Sequence, residues 1–443
     1  MRVGLLASWL VAFSVRGAPS ESRLEHMRKR VINLVGACLS AAVLTACGGN
    51  SVTTSMPMPA VSPLFESPSR LIRTNSVYSN LHDFNGTDGA QPHAGLINAG
   101  GTLYGTTFFG GSGGTVFKIT TSGTETVLHK FGNGNDGALP ASGLVNVGGT
   151  LYGTTYDGGA HAKGTVFTIT TSGTETVLHS FGNGNDGANP VGGLINVGGT
   201  LYGTTDAGGA NNSCTRGCGT VFTITTSGAE RVLYSFKAGT DGANPGASLI
   251  NLGGTLYGTT LEGGDTSNKC FSKGCGTVFE VTTSGAETVL HRFVLGNDDG
   301  AYPYASLINV GGTLYGTTYN GGASSNCSLG CGTVFEVTTS GMETVLHSFS
   351  GGGFDGAGPM AGLINVGGTL YSTTQRGGAV NSCTGGCGTV FKITPYGTET
   401  VLHNCDQHGS YPGAGLLNVN GTLYSTTENG GAHGDGTVFS LTP

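Results

Sequence analysis

The sequence has few charged residues, no strict glycine triplet and no segment with helical spacing of apolar residues. Charged side chains make up 10% of the chain, whereas a disordered, solvated chain needs much charge and little hydrophobicity. Glycine is abundant, with 83 residues, but it does not recur at every third position, which excludes a collagen-like chain. The net charge of −7 forms no basic stripe, so we predict no nucleic-acid partner.

The chain also lacks an apolar run of about 20 residues, the length that a membrane-spanning helix needs. After Met27, three basic residues precede the short apolar stretch Val31–Leu44, which leads into Leu-Thr-Ala-Cys47. This ending resembles the lipobox of bacterial lipoproteins, and the resemblance implies cleavage before Cys47 and a lipid on its sulfur. The alternative is an ordinary signal peptide followed by a chance cysteine.

These features divide the chain into four predicted parts. Residues 1–26 are expected to be a non-native upstream extension, and residues 27–46 a lipoprotein signal peptide. Residues 47–76, rich in serine, threonine and proline, form a linker, and residues 77–443 form the folded domain. We expect an exported protein at the outer membrane or cell surface, which contacts the membrane only through its lipid.

Three short phrases recur seven times within residues 77–443. GTLYGTT and its close variants contain Tyr104, Tyr152, Tyr202, Tyr257, Tyr315, Tyr371 and Tyr424. GTVF ends at Phe117, Phe167, Phe222, Phe279, Phe335, Phe391 and Phe439. Phrases similar to VLHSF end at Phe84, Phe131, Phe181, Phe236, Phe293, Phe349 and Cys405. Seven copies of each phrase leave no room for a separate domain.

Each repeat predicts four short strands, A to D, joined by glycine-containing turns. In the third repeat, these strands are Gly193–Asn196, Thr200–Thr205, Val221–Thr225 and Glu230–Phe236. A four-stranded unit of about fifty residues is typical of a propeller blade. We therefore predict an all-β, seven-bladed β-propeller with four-stranded antiparallel blades. A β-solenoid is the alternative, although its repeats are usually shorter.

The phase of the repeats predicts how the ring closes. The first recurring phrase belongs to a strand D, Tyr78–Phe84, whereas the last unit, Gly415–Thr442, has strands A to C only. The N-terminal strand can therefore complete the last blade as its outer strand, which removes the exposed sheet edges of an open array. An open solenoid has no ring to close, so this division of one unit between the two ends of the chain is not expected there.

The combination of LINVGGTLYGTT, Gly-Gly, GTVF-x-IT and TSGTETVLHSF resembles the Gloeo/Verruco (GloVer) repeat of bacterial "choice-of-anchor" surface proteins. The resemblance covers residues 77–443 and recurs in every repeat. It implies the fold and a cell-surface location, but no activity, because none is assigned to the family. Members of the family end in varied anchoring signals, a role that Cys47 would take here.

Eight of the eleven cysteines form four close pairs between strands B and C: Cys214/Cys218, Cys270/Cys275, Cys327/Cys331 and Cys383/Cys387. The other three repeats have shorter B–C loops without cysteine. Because cysteines and loop length come and go together, we predict four disulfides within loops of an exported protein. Zinc binding is the alternative, although no histidine recurs beside these pairs. We expect Cys405, at a phenylalanine position, to be a buried free thiol.

Two sets of ionisable residues recur from repeat to repeat. Strand D contains His82, His129, His179, His291, His347 and His403, with Tyr234 in the remaining repeat. The D–A loop contains Asp88, Asp136, Asp186, Asp241, Asp299 and Asp355, each followed by glycine. We interpret the histidines as packing residues between blades and the aspartates as turn residues. Catalysis by the histidines and calcium binding by the aspartates are the alternatives.

The sequence predicts two different ends for the propeller. In an antiparallel blade, the D–A and B–C connections lie at one end, and this end has all the variation in loop length. A variable residue pair follows each GTLYGTT phrase there. These pairs supply the candidate ligand-binding residues Phe108, Phe109, Tyr156, Asp157, Asp206, Glu262, Tyr319, Arg376 and Glu428. Aromatic and carboxylate groups around one end of a propeller can bind sugars or peptides. The alternative is that these pairs are surface-loop residues that vary without a binding role.

We therefore predict a monomeric, non-enzymatic binding or adhesion protein with a glycan or protein ligand. The sequence contains no motif for nucleophilic, metal or phosphate chemistry, so we predict no cofactor and no bound metal. A carbohydrate-active hydrolase or lyase that uses Asp157, Asp206 and Glu262 is one alternative. A purely structural envelope protein is another.

Overall fold

The computed structural model describes residues 76–443 except 133–134, 266–269, 271–272, 297 and 381. The predicted upstream extension, the signal peptide, Cys47 and the linker up to residue 75 lie outside the described residues. Strands are the only regular elements within the described part of the chain. None of these residues belongs to a helix that could cross a membrane.

The strands are short and evenly spaced along the chain. The first seventeen are β1 (Val77–Asp83), β2 (Ile97–Ala99), β3 (Thr102–Thr107), β4 (Thr115–Ile119), β5 (Glu125–Lys130), β6 (Val145–Val147), β7 (Thr150–Thr155), β8 (Thr165–Ile169), β9 (Glu175–Ser180), β10 (Gly187–Ala188), β11 (Ile195–Val197), β12 (Thr200–Thr205), β13 (Ala207–Gly208), β14 (Thr220–Thr225), β15 (Glu230–Ser235), β16 (Ile250–Leu252) and β17 (Thr255–Thr260). The others are β18 (Thr277–Thr282), β19 (Glu287–Arg292), β20 (Gly300–Ala301), β21 (Ile308–Val310), β22 (Thr313–Thr318), β23 (Asn320–Gly321), β24 (Thr333–Thr338), β25 (Glu343–Ser348), β26 (Gly356–Ala357), β27 (Ile364–Val366), β28 (Thr369–Thr374), β29 (Arg376–Gly377), β30 (Thr389–Ile393), β31 (Glu399–Asn404), β32 (Leu417–Val419), β33 (Thr422–Thr427) and β34 (Thr437–Thr442).

Seven antiparallel sheets of four strands form the blades of a β-propeller, one for each repeat, as predicted. The blades are β2-β3-β4-β5, β6-β7-β8-β9, β11-β12-β14-β15, β16-β17-β18-β19, β21-β22-β24-β25, β27-β28-β30-β31 and β32-β33-β34-β1. Three two-stranded ribbons, β10-β13, β20-β23 and β26-β29, connect loops. Strand A of the last blade, β32, contacts strand A of the first blade, β2, so these inner strands surround a central axis.

The bounds of the strands differ slightly from those predicted. Strand A of the third blade is Ile195–Val197 instead of Gly193–Asn196, because Gly193 lines the axis and has no ladder partner. Strand D of the same blade ends at Ser235. Phe236 then turns into the core, where its side chain is fully buried. The alternating strand pattern is therefore interrupted where the chain leaves the sheet.

The N-terminal strand completes the last blade, as predicted. β1 pairs antiparallel with β34, beginning with Val77 opposite Thr442. The register skips Leu81, at the position where the ladder of β4 and β5 skips Leu128. β1 therefore has the same bulged geometry as a strand D inside the array. The hydrogen-bonded ladder joins the two ends of the chain and covers the sheet edge that an open array would expose.

Aromatic rings fill six of the seven blade interfaces. The phenylalanine after each strand D meets the phenylalanine of strand C in the next blade edge-on, with ring centroids 5.0–5.2 Å apart. These pairs are Phe84–Phe117, Phe131–Phe167, Phe181–Phe222, Phe236–Phe279, Phe293–Phe335 and Phe349–Phe391. All twelve side chains are fully buried. Edge-on aromatic contacts and apolar burial therefore join the blades at these six interfaces.

The seventh interface, between the sixth and seventh blades, is built differently. Cys405 stands in the phenylalanine position and is a buried free thiol, as predicted. Tyr78 of β1 occupies the space: its ring stacks on His403 with centroids 3.9 Å apart and on Phe439 with centroids 5.2 Å apart. The small thiol and the large tyrosine therefore compensate each other at the site of ring closure.

Candidate functional site

The D–A and B–C loops meet at one end of the propeller, which we call the loop end. The second residue of each variable pair forms an antiparallel bridge with a D–A loop, for example Phe109 with Ala90 and Glu262 with Ala243. The A–B and C–D turns lie at the opposite end, which we call the hairpin end. All variable pairs therefore lie on one face of the molecule.

A channel of about 130 Å³ lies on the axis next to the loop end. The residues that follow each D–A proline line it, and most of them are small, such as Ser142, Gly192 and Ala305. Ligand pockets usually have volumes of about 300–1,000 Å³, so the channel is too small for a sugar chain or a peptide. The opening of the channel at the loop end, which we call the mouth, is the part of this site outside the narrow channel. This recurring Pro-x-small-small-Leu pattern was not among the motifs recognised in the sequence.

The residue before each D–A proline joins neighbouring loops around the mouth. Asn244 has a φ of 57°, in the left-handed region that residues other than glycine rarely adopt. Its N–H donates to the Cys218 carbonyl at 2.8 Å, and its carbonyl accepts the Leu261 N–H at 3.1 Å. The same arrangement occurs at Gln91, Leu139, Asn189, Tyr302 and Tyr411. Each of these residues links the B–C loops of two successive blades, so the mouth has a hydrogen-bonded backbone rim.

In the first blade, the mouth is aromatic. Phe108 stacks on His93 with ring centroids 4.7 Å apart and an interplanar angle of 12°. Burial lowers the pKa of His93 to about 4, so its imidazole is neutral at neutral pH. Phe109 meets Phe108 edge-on and is 39% exposed. The rings of His93, Phe108 and Phe109 together form an uncharged cluster, which we call the aromatic patch.

The second and third blades share an arginine. Arg216 Nη2 donates to Asp206 Oδ2 at 2.9 Å, and its Nη1 donates to the Tyr156 hydroxyl at 3.2 Å. The Asp206 side chain is only 7% exposed. Burial raises the pKa of Asp206, although Arg216 opposes this shift. The buried carboxylate is therefore paired with an arginine whose side chain is partly exposed.

In the fourth blade, the acidic residue of the variable pair is also neutralised. Lys273 Nζ donates to Glu262 Oε1 at 2.9 Å. The Lys273 side chain is 66% exposed, so this ion pair contributes little to stability. Leu261, the first residue of the pair, lies beside Gly246 of the channel wall.

A chain of polar contacts spans the fifth, sixth and seventh blades. Tyr304 on the channel wall meets Tyr319 with ring centroids 5.6 Å apart. The Tyr319 hydroxyl donates to Gln375 Oε1 at 3.4 Å, and Gln375 Nε2 donates to Glu428 Oε2 at 3.3 Å. Burial raises the pKa of Glu428 to about 7. The Glu428 carboxyl group is therefore protonated in a large fraction of the molecules at neutral pH.

Four disulfides join the predicted cysteine pairs: Cys214–Cys218, Cys270–Cys275, Cys327–Cys331 and Cys383–Cys387. Each lies within one B–C loop, in the third to sixth blades. Arg216 lies inside the disulfide loop of the third blade and Lys273 inside that of the fourth. These two loops therefore place a cation over a carboxylate of the variable pairs.

The structure divides the predicted site residues into two groups. The candidates that are the first residues of their pairs contact His93, the shared Arg216 or the polar chain of Tyr319, Gln375 and Glu428. These candidates are Phe108, Tyr156, Asp206, Tyr319 and Glu428. The second residues form backbone bridges with the D–A loops; they are Phe109, Asp157, Glu262 and Arg376. Asp157 Oδ1 also accepts the Gly158 N–H at 2.9 Å, and the Arg376 side chain is exposed.

Gln375 belongs to a variable pair but was not chosen from the sequence as a candidate ligand-binding residue. Three other residues at the mouth were not identified from the sequence: His93, Arg216 and Tyr304. Their only signal in the sequence is their position in a D–A or B–C loop. Arg216 and Gln375 each contact a residue of another blade, and spacing within one repeat does not reveal such contacts.

The recurring histidines and aspartates are partners, which the sequence analysis did not foresee. His129 Nε2 lies 3.1 Å from Asp136 Oδ2. In the repeat that lacks the histidine, the Tyr234 hydroxyl donates to Asp241 Oδ1 at 2.6 Å. His129 also meets Phe131 edge-on. The position on strand D therefore supplies both packing at the blade interface and a polar partner for the aspartate of the D–A loop.

Comparisons with known proteins agree with this architecture. The Gloeobacter/Verrucomicrobia repeat matches residues 69–271 and 266–443, whereas no curated protein sequence matches the chain. Quinohemoprotein alcohol dehydrogenase from Comamonas testosteroni is 12% identical, with a TM-score of 0.50 over 82% of this chain and 76% of its own. A gluconolactonase from Xanthomonas campestris is 13% identical, with a TM-score of 0.41 over 84% and 90%. The tricorn protease is 10% identical, with a TM-score of 0.38 over 76% of this chain and 28% of its own.

At these identities, the similarity to solved structures concerns the fold alone. The repeat match extends over both halves of the propeller. The recurring phrases GTLYGTT and GTVF fall on strands B and C of every blade, so the match and the fold depend on the same residues. The chain therefore belongs to the Gloeobacter/Verrucomicrobia repeat family.

Proposed function

We propose that the chain is a lipid-anchored binding protein of the cell envelope, and that the mouth at its loop end holds an extracellular glycan. This proposal rests on the composition of the mouth. The aromatic patch in the first blade lies on the same rim as the Tyr319–Gln375–Glu428 chain and the Tyr156–Arg216–Asp206 cluster. Sugars offer apolar faces for aromatic rings and hydroxyl groups for carboxylate, amide and guanidinium groups, so this combination suits them.

The state of the carboxylates supports binding rather than catalysis. A glycosidase needs two carboxyl groups on either side of the scissile bond, one as an acid and one as a base or nucleophile. Asp206 is paired with Arg216, and Glu262 is paired with Lys273. A carboxylate in an ion pair still accepts hydrogen bonds from sugar hydroxyls, but the pairing lowers its strength as a base or nucleophile.

A glycan array probed with the purified protein tests this proposal. We expect the wild-type protein to bind a defined set of glycans, and Phe108→Ala or Gln375→Ala to weaken binding at least about tenfold, or 1.4 kcal/mol. Tyr396→Ala is the matched control, because this tyrosine is 94% exposed at the hairpin end. The proposal fails if no glycan binds, or if the control weakens binding as much as Phe108→Ala.

A carbohydrate-active hydrolase or lyase is the second candidate, and Glu428 is the residue that favours it. A buried carboxyl with a pKa of about 7 can act as a general acid at neutral pH. An enzyme would release new chain ends from a bound polysaccharide, and Glu428→Gln would stop this release without abolishing binding. Binding by the wild-type protein without any product supports the binding protein instead.

The anchor and the location form a separate part of the proposal. Four disulfides within loops require an oxidising compartment, which supports export. Without the sulfur of Cys47, the lipid cannot be attached, so we expect Cys47→Ser to appear in the soluble fraction instead of the membrane fraction. Cys38→Ser, within the apolar stretch of the signal, is the control and should remain with the membrane. Equal membrane association of both variants would contradict the lipid anchor.

A further inference from the structure

We propose that three of the blade interfaces bind a divalent transition-metal ion, such as Zn²⁺, between two blades. The ligands are a histidine of strand D, the aspartate of the following D–A loop and a glutamate of strand D in the next blade. The three clusters are His82/Asp88/Glu125, His291/Asp299/Glu343 and His347/Asp355/Glu399. In each cluster, one ligand atom of each residue lies within 4.8 Å of the other two. We call these the ion interfaces.

The donor set and the spacing between histidine and aspartate suit such an ion. One imidazole nitrogen and two carboxylate oxygens are a common set for Zn²⁺, with water as a fourth ligand. Ligand atoms about 2.1 Å from a tetrahedral Zn²⁺ lie about 3.4 Å from each other. The distances from histidine Nε2 to the aspartate oxygen are 3.3, 3.4 and 3.5 Å in the three clusters. The three histidine side chains are 18%, 19% and 21% exposed, although the Nε2 atoms of His82 and His347 are themselves buried.

The length of the D–A loop distinguishes the ion interfaces from the others. In the ion interfaces, the aspartate follows the histidine by six residues after His82 and by eight after His291 and His347. Elsewhere, the separation is seven residues, after His129 and His179. With seven residues, the pair forms a direct hydrogen bond at 3.1 or 3.0 Å. A loop that is one residue shorter or longer holds the pair farther apart, at 3.3–3.5 Å. The 3.4 Å contact of His291 with Asp299 is still a hydrogen bond, but a long one.

Two of the ion interfaces contain buried atoms without a hydrogen-bond partner among the described residues. In these interfaces, the histidine atoms are His82 Nε2 and His347 Nε2, and the glutamate atoms are Glu125 Oε1 and Glu399 Oε1. A glutamate oxygen also lacks a partner where the separation is seven, but there the histidine is already bonded to the aspartate. An ion would satisfy both atoms and offset the repulsion between the two carboxylates.

Backbone groups orient the aspartate ligands. The Ser350 N–H donates to Asp355 Oδ2 at 2.7 Å, and the Val294 N–H donates to Asp299 Oδ2 at 2.8 Å. In both residues, the other oxygen, Oδ1, faces the histidine and also accepts the N–H of the next glycine at 2.7 Å. Outer hydrogen bonds of this kind fix the orientation of metal ligands. The aspartates are therefore held in place before an ion binds.

The remaining interfaces show that the fold does not need the complete cluster. Tyr234 replaces the histidine between the third and fourth blades, and Tyr78 replaces the glutamate between the sixth and seventh. His82 lies on β1, the strand that closes the ring. An ion at this interface would connect the closing strand with the first blade, so metal binding would reinforce the non-covalent closure.

Metal titration of the full chain tests the proposal. After removal of metal with a chelator, we expect three equivalents of Zn²⁺ or Co²⁺ to bind, Co²⁺ with the visible absorption of mixed nitrogen and oxygen ligands. The melting temperature should rise with Zn²⁺ and fall again with the chelator, because the sites exist only in the folded state. Glu125→Gln, Glu343→Gln and Glu399→Gln should each remove one equivalent. Glu175→Gln, at an interface with the seven-residue separation, should remove none.

A second variant tests the dependence on loop length without changing a ligand. Deletion of Gly352 shortens the separation between His347 and Asp355 from eight residues to seven, so a direct hydrogen bond should replace the ion and one equivalent should be lost. The proposal is overturned if no ion binds at micromolar concentration. It is also overturned if the triple glutamine variant still binds three ions, or if Glu175→Gln loses as much metal as Glu125→Gln.

Discussion

The hairpin end of the propeller is nearly the same in every blade, whereas each blade contributes different side chains to the loop end. At the hairpin end, Asn98 Oδ1 accepts the Gly101 N–H at 2.9 Å, and the equivalent asparagine does so in all seven A–B turns. Thr120 Oγ1 accepts the Thr124 N–H at 3.0 Å, as in all six C–D turns. At the loop end, the first residues of the pairs include phenylalanine, tyrosine, aspartate, leucine, glutamine and glutamate.

This difference separates what the fold requires from what it tolerates. Gly123 in a C–D turn has a φ of 95°, and a Cβ there would lie 2.5 Å from the Leu81 carbonyl oxygen, so the turn needs glycine. The loop end also has a shared backbone, the hydrogen-bonded rim around the mouth. Only the side chains on this rim vary. A constant frame with variable side chains is the usual arrangement of a binding surface on a rigid scaffold.

The largest effect should come from opening the ring of seven blades, on which both ends depend. Deletion of Val77–Asp83 removes the ladder to β34 and the Tyr78 ring that fills the seventh interface. We expect a loss of about 5 kcal/mol or more in the free energy of unfolding, from lost hydrogen bonds and apolar burial. Calorimetry and light scattering should show a lower melting temperature or aggregation. Melting like that of the parent would show that this strand is not part of the ring.

A smaller effect should distinguish two ion pairs within the loop end. Arg216→Ala leaves the buried Asp206 carboxylate without its partner, so we expect a loss of about 1–3 kcal/mol. Asp206→Asn in the same chain should restore part of this loss, because the uncompensated charge is then absent. Lys273→Ala is the control, since its pair with Glu262 is exposed, and it should cost less than about 0.5 kcal/mol. Equal losses in denaturant titrations would mean that burial does not separate the two pairs.

Much of the fold could be predicted from the sequence because its determinants are local and recur. The glycine turns and the alternating strands can be recognised within one repeat. The phase that places Tyr78–Phe84 in the last blade follows from a comparison of the first and last repeats. The cysteine pairs are only four or five residues apart. The mouth is different, because Arg216 contacts Tyr156 across 60 residues and Gln375 contacts Glu428 across 53. Loop sequences that recur in no other repeat contain no signal for such contacts.

A still smaller effect on stability should come from pH, through glutamates at the blade interfaces. Five glutamates at blade interfaces have their pKa raised to about 7 by burial: Glu125, Glu175, Glu287, Glu343 and Glu399. Their ordinary pKa is 4.5, so the folded state holds these protons more tightly than the unfolded state. Their contribution to stability is therefore complete below about pH 4.5 and is lost as the pH rises to about 7.

We accordingly expect the melting temperature, measured with a chelator present, to fall between pH 5 and 7. Glu175→Gln should make this decrease shallower, because one of the titrating groups is then absent. A melting temperature that rises over this range would contradict the prediction.

Reduction of the four disulfides should have the smallest effect on the frame and should change mainly the loop end. Each disulfide joins cysteines four or five residues apart, and among disulfides such short closed loops restrict the unfolded chain least. The first, second and seventh blades form the same connection without a disulfide. A reduced loop can therefore open locally while its blade stays folded, which would release Arg216 and Lys273 from the mouth.

Three measurements separate this outcome from its alternatives. Peptide mapping without reduction should show four links within loops and a free Cys405; a link between blades would contradict the structure. After reduction, hydrogen exchange should increase in the four disulfide loops but not in the A–B and C–D turns, and glycan binding should weaken if the mouth is the binding site. The melting temperature should fall less than after deletion of β1. If reduction instead unfolds the whole domain, the buried sulfur atoms of Cys218, Cys275, Cys331 and Cys387 belong to the cooperative core, and the two ends are not separable.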